Sequence, residues 1–181
     1  MKTYIALLRG INVSGQKIIK MEVLRKVLGE LDFRDILTYI QSGNIIFQSK
    51  ETDRVTLENQ IAGKINEHFS FDVPVVVVTP KDLKQVVNDN PYKNRELSDP
   101  AQPYVTFLSD EPKAENIEVL KAIDFGKDEF AIVGKSVFIL YANSAGNTKL
   151  SNALIESKLK VKATSRNWKT VHKLTELSSK S

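Results

Sequence analysis

The sequence predicts an α+β fold built from two ferredoxin-like halves and a C-terminal helix. In the first half, apolar β-rich runs and helical stripes follow one another in the order β-α-β-β-α-β, which is the ferredoxin-like unit. The same order recurs in the second half, although the two copies share almost no residues. We therefore expect residues 1–79 to form the first half, residues 80–103 a helix and connector, and residues 104–181 the second half with its terminal helix.

The first half opens with an unbroken apolar run, which is typical of a strand buried on both faces. The helices are predicted from apolar residues at helical spacing, and Ser42-Gly43 is a two-residue hairpin signal between two β-rich runs. In order, the predicted elements are a strand at 3–9, a helix at 21–31, strands at 35–41 and 44–49, a helix at 57–69 and a strand at 73–79.

The second half repeats this pattern after a short helix at 80–87 and a proline-containing connector at 88–103. Gly134-Lys135 is a Gly-X pair suited to a type II′ hairpin turn. In order, the predicted elements are a strand at 104–109, a helix at 112–123, strands at 129–133 and 136–142, a helix at 148–159, a short strand at 161–165 and a terminal helix at 168–177.

Composition excludes several kinds of protein. The 181 residues are 41% hydrophobic and 27% charged, as expected for a globular chain, and none is cysteine, which excludes disulfides and thiolate chemistry. No segment approaches the roughly 18 apolar residues of a membrane span. The apolar run before Arg9 is too short for the core of a signal peptide. We therefore expect a cytoplasmic protein that does not enter a membrane.

Positive charge is concentrated near the C-terminus. Residues 135–181 contain nine Lys or Arg against two Glu, a net charge of +7, which leaves −3 of the total +4 for residues 1–134. Such a basic region is either a solvated tail or a surface that binds phosphates or nucleic acid.

Two glycine-bearing turns are predicted to share one edge of the first sheet. Strand one of a ferredoxin-like sheet lies antiparallel to strand three, so the end of the first strand adjoins the start of the third, and the first helix begins near the same edge with its free N–H groups. Hydrogen-bond donors cluster there: Arg9, Asn12, Ser14, Lys17, Gln41, Ser42 and Asn44. This set suits an anion. The alternative is that the Asn and Ser side chains only satisfy backbone groups in tight turns, while Arg9 pairs with a carboxylate.

A second polar motif, Thr164 to Thr170, precedes the terminal helix. Ser165 or Asn167 is suited to cap that helix. Arg166 adds a cation where the helix dipole disfavours one. We therefore predict that its guanidinium contacts either a carboxylate across the seam between the halves or the same anion as Arg9, and we include Arg166 and Asn167 in the candidate binding site.

Other chemistries find little support. Residues 10–15 have the glycine frame of a phosphate loop, but Gln16-Lys17 follows where Lys-Ser or Lys-Thr is required. His68 and His172 have no carboxylate or cysteine at ligand spacing, so no metal site is predicted. No cofactor is expected, and the sequence identifies no catalytic residue.

Base stacking on the sheet, as in RNA-recognition motifs, is also disfavoured. The run of aromatic residues that such motifs carry on strand three is absent. A two-residue loop at Ser42-Gly43 would place Thr38 opposite Phe47, with Tyr39 on the other face of the sheet. A basic groove formed by Arg166, Trp168, Lys169 and Lys173 remains open, although the apolar spacing along the terminal helix predicts that Trp168 belongs to the core.

Three long strings support a family resemblance. They are Leu-Leu-Arg-Gly-Ile-Asn-Val-Ser-Gly at residues 7–15, Tyr-Ile-Gln-Ser-Gly-Asn-Ile-Ile-Phe at 39–47 and Thr-Ser-Arg-Asn-Trp-Lys-Thr-Val at 164–171. With them the chain resembles the bacterial family catalogued as domain of unknown function 1697. Ser14 departs from the second glycine usual there, which weakens the idea that this loop needs two adjacent flexible residues. The resemblance implies a cytosolic protein of two ferredoxin-like halves, with or without exchange of an edge strand, and implies no activity.

Three functional hypotheses follow. The first is a binding module for an anionic small molecule, bearing phosphate or carboxylate, or for nucleic acid. The second is a small enzyme acting on a phosphorylated or nucleotide-like substrate, with Arg9 as electrostatic stabiliser. The third is an interaction protein whose strand edges pair with a second copy. The sequence decides neither the ligand nor the oligomeric state.

Overall fold

The computed structural model describes residues 1–96 and 102–179. Within these ranges the chain forms eight strands and six helices. They are β1 (Lys2–Leu8), α1 (Met21–Leu28), β2 (Arg34–Tyr39), β3 (Asn44–Ser49), α2 (Arg54–Phe69), β4 (Val75–Val78), α3 (Pro80–Asp89), β5 (Gln102–Leu108), α4 (Ala114–Lys121), β6 (Glu129–Val133), β7 (Ser136–Tyr141), α5 (Asn152–Leu159), β8 (Ala163–Asn167) and α6 (Trp168–Ser178).

The described chain divides into two compact units. One contains residues 1–84 together with 173–179, and the other contains residues 85–96 and 102–172. Part of the predicted connector, residues 97–101, lies outside the described residues. The boundaries of the halves at 79 and 104 remain a prediction. None of the helices in the described ranges is long and apolar enough to cross a bilayer.

The first sheet has the strand order β2-β3-β1-β4, with all neighbours antiparallel, which is the ferredoxin-like order. Apolar residues spaced four apart on α2, Leu57, Ile61 and Ile65, are fully buried in the core of this unit, as their spacing predicts. The sheet contributes alternate residues such as Ala6 and Phe47 to the same core.

The second sheet repeats the arrangement in the order β6-β7-β5-β8. Its core is formed by alternate residues of β7 and by α4 and α5, with Val137, Ile139 and Leu120 fully buried. The duplicated α+β fold predicted from the sequence is therefore confirmed. Each sheet is completed by the last strand of its own half, because β4 pairs with β1 and β8 with β5, so no edge strand is exchanged between the two described sheets.

The loop between β2 and β3 differs from the prediction. Tyr39 pairs with Asn44, and Thr38 pairs with Ile45, so the loop has the four residues 40–43 rather than two. The two-residue register, with Thr38 opposite Phe47, is wrong because the chain turns earlier, at Ile40, whose φ is +49°. By contrast, the predicted two-residue turn at Gly134-Lys135 is confirmed, since Val133 pairs with Ser136.

Local capping sets the start of α5. The Ser151 hydroxyl accepts a hydrogen bond from the Leu154 amide at 3.2 Å, so the helix begins at Asn152 and not at Thr148 as predicted. A short 3₁₀ turn, Ala145–Asn147, occupies part of the preceding segment.

Candidate functional site

The two predicted turns lie side by side. Leu7 pairs with Asn44 across the sheet, and the Leu8 amide donates to the Gly43 carbonyl at 2.8 Å. The end of β1 therefore adjoins the start of β3, as expected from the ferredoxin-like strand order. Helix α1 begins at Met21, and Lys20 at its N-cap position provides no side-chain cap.

The first turn is a small hairpin within residues 10–19. The backbone N–H of Asn12 donates to the Lys17 carbonyl at 3.2 Å, and the backbone N–H of Gln16 donates to the Val13 carbonyl at 2.9 Å. Ser14 and Gly15 at the tip both have positive φ, +50° and +73°, as in a type I′ turn. The doubt raised by a serine at position 14 is thus removed, because the hairpin places both residues in the left-handed region.

Asn12 joins this hairpin to the second turn. Its Nδ2 donates to the Ile19 carbonyl at 3.0 Å and to the Gln41 carbonyl at 2.8 Å, while its Oδ1 accepts from the Ile19 amide at 2.8 Å. Both N–H groups and the oxygen of the side chain are thus engaged within the chain. Asn12 therefore fixes the position of the two turns, and we call residues 10–19 and 40–43 together the joined turns.

Asn44 stabilises the second turn from inside, in part through a contact with the exposed Ser42. Asn44 is fully buried, and its Nδ2 donates to the Tyr39 carbonyl and to the Ser42 hydroxyl, both at 3.0 Å. Gly43 is required beside them, because its φ is +82° and an added Cβ would lie 2.6 Å from the Leu8 Cβ. These two hydrogen bonds are of the kind expected if Asn and Ser satisfy groups within the turn, and a ligand contact of Ser42 or Asn44 remains a prediction.

The remaining candidates near this edge lie closer to solvent. Ser14 and Gln41 are exposed, and Arg9 is half-buried. Lys17 is also half-buried, with its Nζ donating to the Asp72 carbonyl at 2.5 Å and lying 5.9 Å from the centre of the Phe71 ring. The joined turns thus expose polar and cationic groups to solvent, while the hydrogen bonds of Asn12 and Asn44 hold the turns in place beneath them.

Backbone strain and exposed apolar side chains concentrate in the joined turns. Among the described residues, seven that are not glycine have positive φ, and four of these belong to the joined turns: Asn12, Ser14, Lys17 and Ile40. Three of the eight exposed large hydrophobic residues in the described chain are also here: Val13 (58%), Ile18 (59%) and Ile40 (48%). Sequence reasoning did not identify these three, because exposure of an apolar residue depends on the neighbours that tertiary structure supplies. A left-handed β-branched residue such as Ile40 is an outlier in protein structures.

The motif before α6 contains a buried cation and a helix cap. Arg166 is 6% exposed, and its Nη1 donates to the Thr164 hydroxyl at 2.9 Å and to the Ser165 carbonyl at 2.8 Å. Burial lowers the pKa of Arg166 to about 10. The side chain does not extend into solvent, and its predicted contact with a carboxylate or with the anion of Arg9 remains a prediction. Asn167 caps the helix as expected, since its Oδ1 accepts from the Thr170 amide at 2.8 Å.

Trp168 and the two histidines make aromatic ring contacts. Trp168 is half-buried rather than in the core, and its ring packs edge-on against that of His172, with 4.8 Å between the ring centroids. His68 packs edge-on against Phe69 in the same way, also at 4.8 Å. Among the described residues, no group of three or more His, Cys, Asp or Glu is arranged to hold a metal ion.

Comparison with known proteins gives a family and a fold. The model of the family described as "Protein of unknown function (DUF1697)" matches residues 1–138. A solved structure, that of the conserved bacterial protein SP0830 from Streptococcus pneumoniae, is similar to the chain with a TM-score of 0.76 and 22% sequence identity, over 97% of this chain and 98% of that one. At this identity the likeness concerns the fold alone. No curated protein matches the chain.

Proposed function

The chain belongs to the DUF1697 family of proteins of unknown function, and we propose that within this fold the joined turns form a binding module. Its ligand is an anionic molecule that bears phosphate or carboxylate, or a nucleic acid. The proposal rests on one observation, the concentration of strained backbone and exposed apolar side chains at residues 10–19 and 40–43.

Strain of this kind supports a binding role. Each residue held in a sparsely populated backbone region costs on the order of 1–3 kcal/mol, and such residues cluster where a surface is preorganised for a ligand. Here the three hydrogen bonds of Asn12 hold two strained turns in one arrangement. A ligand that meets the turns therefore finds Val13, Ile18 and Ile40 already in place.

The charge at this edge supports an anionic ligand. Lys17 and Lys20 carry ammonium groups on the segment that leads into α1, and Arg9 follows β1 directly. Because Lys20 does not cap α1, the dipole at the start of the helix adds to the attraction for an anion. An apolar portion of the same ligand, such as a nucleobase, would be accepted by the exposed side chains of the hairpin.

The joined turns favour binding over the enzyme hypothesis. That hypothesis requires an acid, a base or a nucleophile in contact with the substrate. The hydrogen bonds that build the joined turns instead use amides and a hydroxyl, which do not ionise near neutral pH, and Lys17 is held by a backbone carbonyl. A cytoplasmic setting also belongs to this proposal, and the absence of cysteine from the sequence is compatible with it.

The test is a set of titrations with the whole chain. Calorimetry with inorganic phosphate, nucleotides, short single-stranded RNA and short single-stranded DNA should give saturable binding to at least one of them. In the double variant Lys17→Ala/Lys20→Ala we expect affinity to fall by about tenfold or more, because a hydrogen bond to a charged group contributes about 1.5–3 kcal/mol. If nucleic acid binds, the double variant should also show a weaker dependence of affinity on salt.

Lys50→Ala is the matched control. Lys50 is exposed and follows β3 at the end of the strand opposite to the joined turns. The control should bind like the wild type. Absence of saturable binding to every probe, or equal loss in the double variant and the control, would refute the proposal.

A further inference from the structure

The two sheets have four edge strands, and the chain obstructs three of them. An exposed edge offers unpaired N–H and C=O groups to any passing strand, so proteins normally block edges with side chains, bulges or charges. β4 is blocked by Glu58 of α2, whose Oε1 accepts a hydrogen bond from the Val77 amide at 2.9 Å. This buried carboxylate occupies a position that a neighbouring strand would need.

The edge of β8 is blocked in the same way by α5. The Ala163 amide donates to Glu156 Oε1 at 2.8 Å, and Asn152 Nδ2 donates to the Ala163 carbonyl at 3.0 Å. Two side chains one helical turn apart thus replace a strand partner at this residue. β2 is interrupted instead: Asp35 has φ of +50°, and the register with β3 shifts between Arg34 and Leu37.

β6 has none of these devices within the described residues. It pairs with β7 in an unbroken register over all five of its residues, from Glu129 to Val133. Four consecutive residues are apolar, Phe-Ala-Ile-Val, and Val133 is 42% exposed. The negative charge of Glu129 at the start of β6 is offset, because Nη1 of Arg95 lies 2.7 Å from the Glu129 carboxylate. This is a regular, neutral and apolar edge of the kind that accepts another strand.

We propose that β6 is an interface at which a second copy of the chain pairs antiparallel about a twofold axis, joining two four-stranded sheets into one of eight strands. The geometry of the β6–β7 hairpin determines which backbone N–H and C=O groups of β6 are available for pairing with another strand. Val133 and Ser136 flank a two-residue turn and form a hydrogen-bonded pair, so the backbone groups of Phe130 and Ile132 point away from β7. A twofold axis at Ala131 then places Phe130 of each copy opposite Ile132 of the other, with four hydrogen bonds between the two strands.

This register is self-complementary. Phe130 and Ile132 lie half-buried at the rim of the core of the second unit. Pairing would bring these rims together as two aromatic–β-branched pairs, which are favourable across strands. Ala131 meets its own copy at a non-hydrogen-bonded position, where the chains approach most closely and a small side chain fits. Lys127 approaches Lys135 of the second copy, but Lys135 is already paired with Asp110 at 3.1 Å.

Light scattering after size exclusion tests the proposal with the whole chain. We expect a concentration-dependent species of twice the 20.4 kDa mass of one chain. Ala131→Lys and Ala131→Glu should each weaken association by up to about fivefold, since like charges directly opposite one another destabilise a strand pair. Mixing the two variants should restore association, because each pair at the axis then joins a lysine and a glutamate.

The mixing experiment separates loss of an interface from loss of folding. Val119→Lys is the matched control, because Val119 is 49% exposed on α4 and adds the same charge away from β6. Its association should equal that of the wild type. A wild type that is monomeric at every concentration would overturn the proposal. So would a dimer that neither variant weakens, or two weakened variants that fail to associate when mixed.

Discussion

Replacing Asn12 by alanine tests whether one amide holds the joined turns together. The change removes the three hydrogen bonds to Ile19 and Gln41 and leaves alanine at a φ of +54°. Each hydrogen bond contributes about 1 kcal/mol net. Left-handed backbone costs alanine about 1 kcal/mol, a conformation that asparagine tolerates better. Allowing for incomplete additivity, we expect the free energy of unfolding to fall by about 3 kcal/mol.

Two measurements follow this change. Urea unfolding monitored by circular dichroism gives the global loss, and native-state hydrogen exchange gives the local one. The Ile19 amide donates to Asn12 Oδ1, so its exchange should accelerate strongly in Asn12→Ala. Asn12→Asp keeps an acceptor for this amide but loses both donors. The aspartate variant should therefore be destabilised as well, while the Ile19 amide stays better protected than in the alanine variant.

Asn59→Ala is the control for this series. Asn59 is exposed on α2, where alanine is the better helix former, so the free energy of unfolding should change by no more than about 0.5 kcal/mol. If Asn12→Ala costs less than about 0.5 kcal/mol, or if the Ile19 amide exchanges at the wild-type rate, the reasoning is refuted. The joined turns would then be held by contacts other than the amide.

Two further predictions concern stability. Gly43→Ala should lower the free energy of unfolding by more than about 2 kcal/mol, since the new Cβ would lie 2.6 Å from the Leu8 Cβ at a φ of +82°. Gly63→Ala on α2 is the control: because the space around Gly63 is open, this change should stabilise the protein by about 0.5–1 kcal/mol in the same urea assay. Equal effects at the two sites would contradict the geometry. Burial raises the pKa of Tyr141 to about 12, and its hydroxyl donates to the Leu150 carbonyl at 3.0 Å. Because the unfolded tyrosine ionises near pH 10, the contribution of Tyr141 to the free energy of unfolding is complete below that pH and is lost as pH rises toward 12. Tyr141→Phe should lower the free energy of unfolding by about 1 kcal/mol at neutral pH and should flatten this alkaline decline. An unchanged decline would assign the pH dependence to other groups.

Local patterns determined most of the fold. The spacing of Leu57, Ile61 and Ile65 predicts the buried face of α2, because residues four apart lie on one side of any helix. The Gly134-Lys135 turn and the Asn167 cap were predicted for the same reason, since each depends on atoms only a few residues apart. The strand order then followed from the ferredoxin-like connection of these elements.

The candidate site depended on contacts that sequence spacing does not reveal. Asn12 and Gln41 are 29 residues apart, so the sequence left open whether the side chain of Asn12 meets a ligand or a turn group, and the fold adds a hydrogen bond from it to the Gln41 carbonyl. The loop at 40–43 was misjudged because Ile40 adopts a left-handed conformation that its side chain disfavours and that the surrounding contacts impose.

Sequence and tertiary structure thus decided different properties. The sequence alone determined the order of strands and helices and the cationic character of the segment around Lys17 and Lys20. Tertiary structure decided which polar side chains are occupied, that Arg166 is buried, and that the described residues leave the edge at β6 unobstructed. The physical reason is that periodicity and capping act within one or two turns of chain, whereas the burial of a charge and the pairing of an amide are set by residues brought together across the fold.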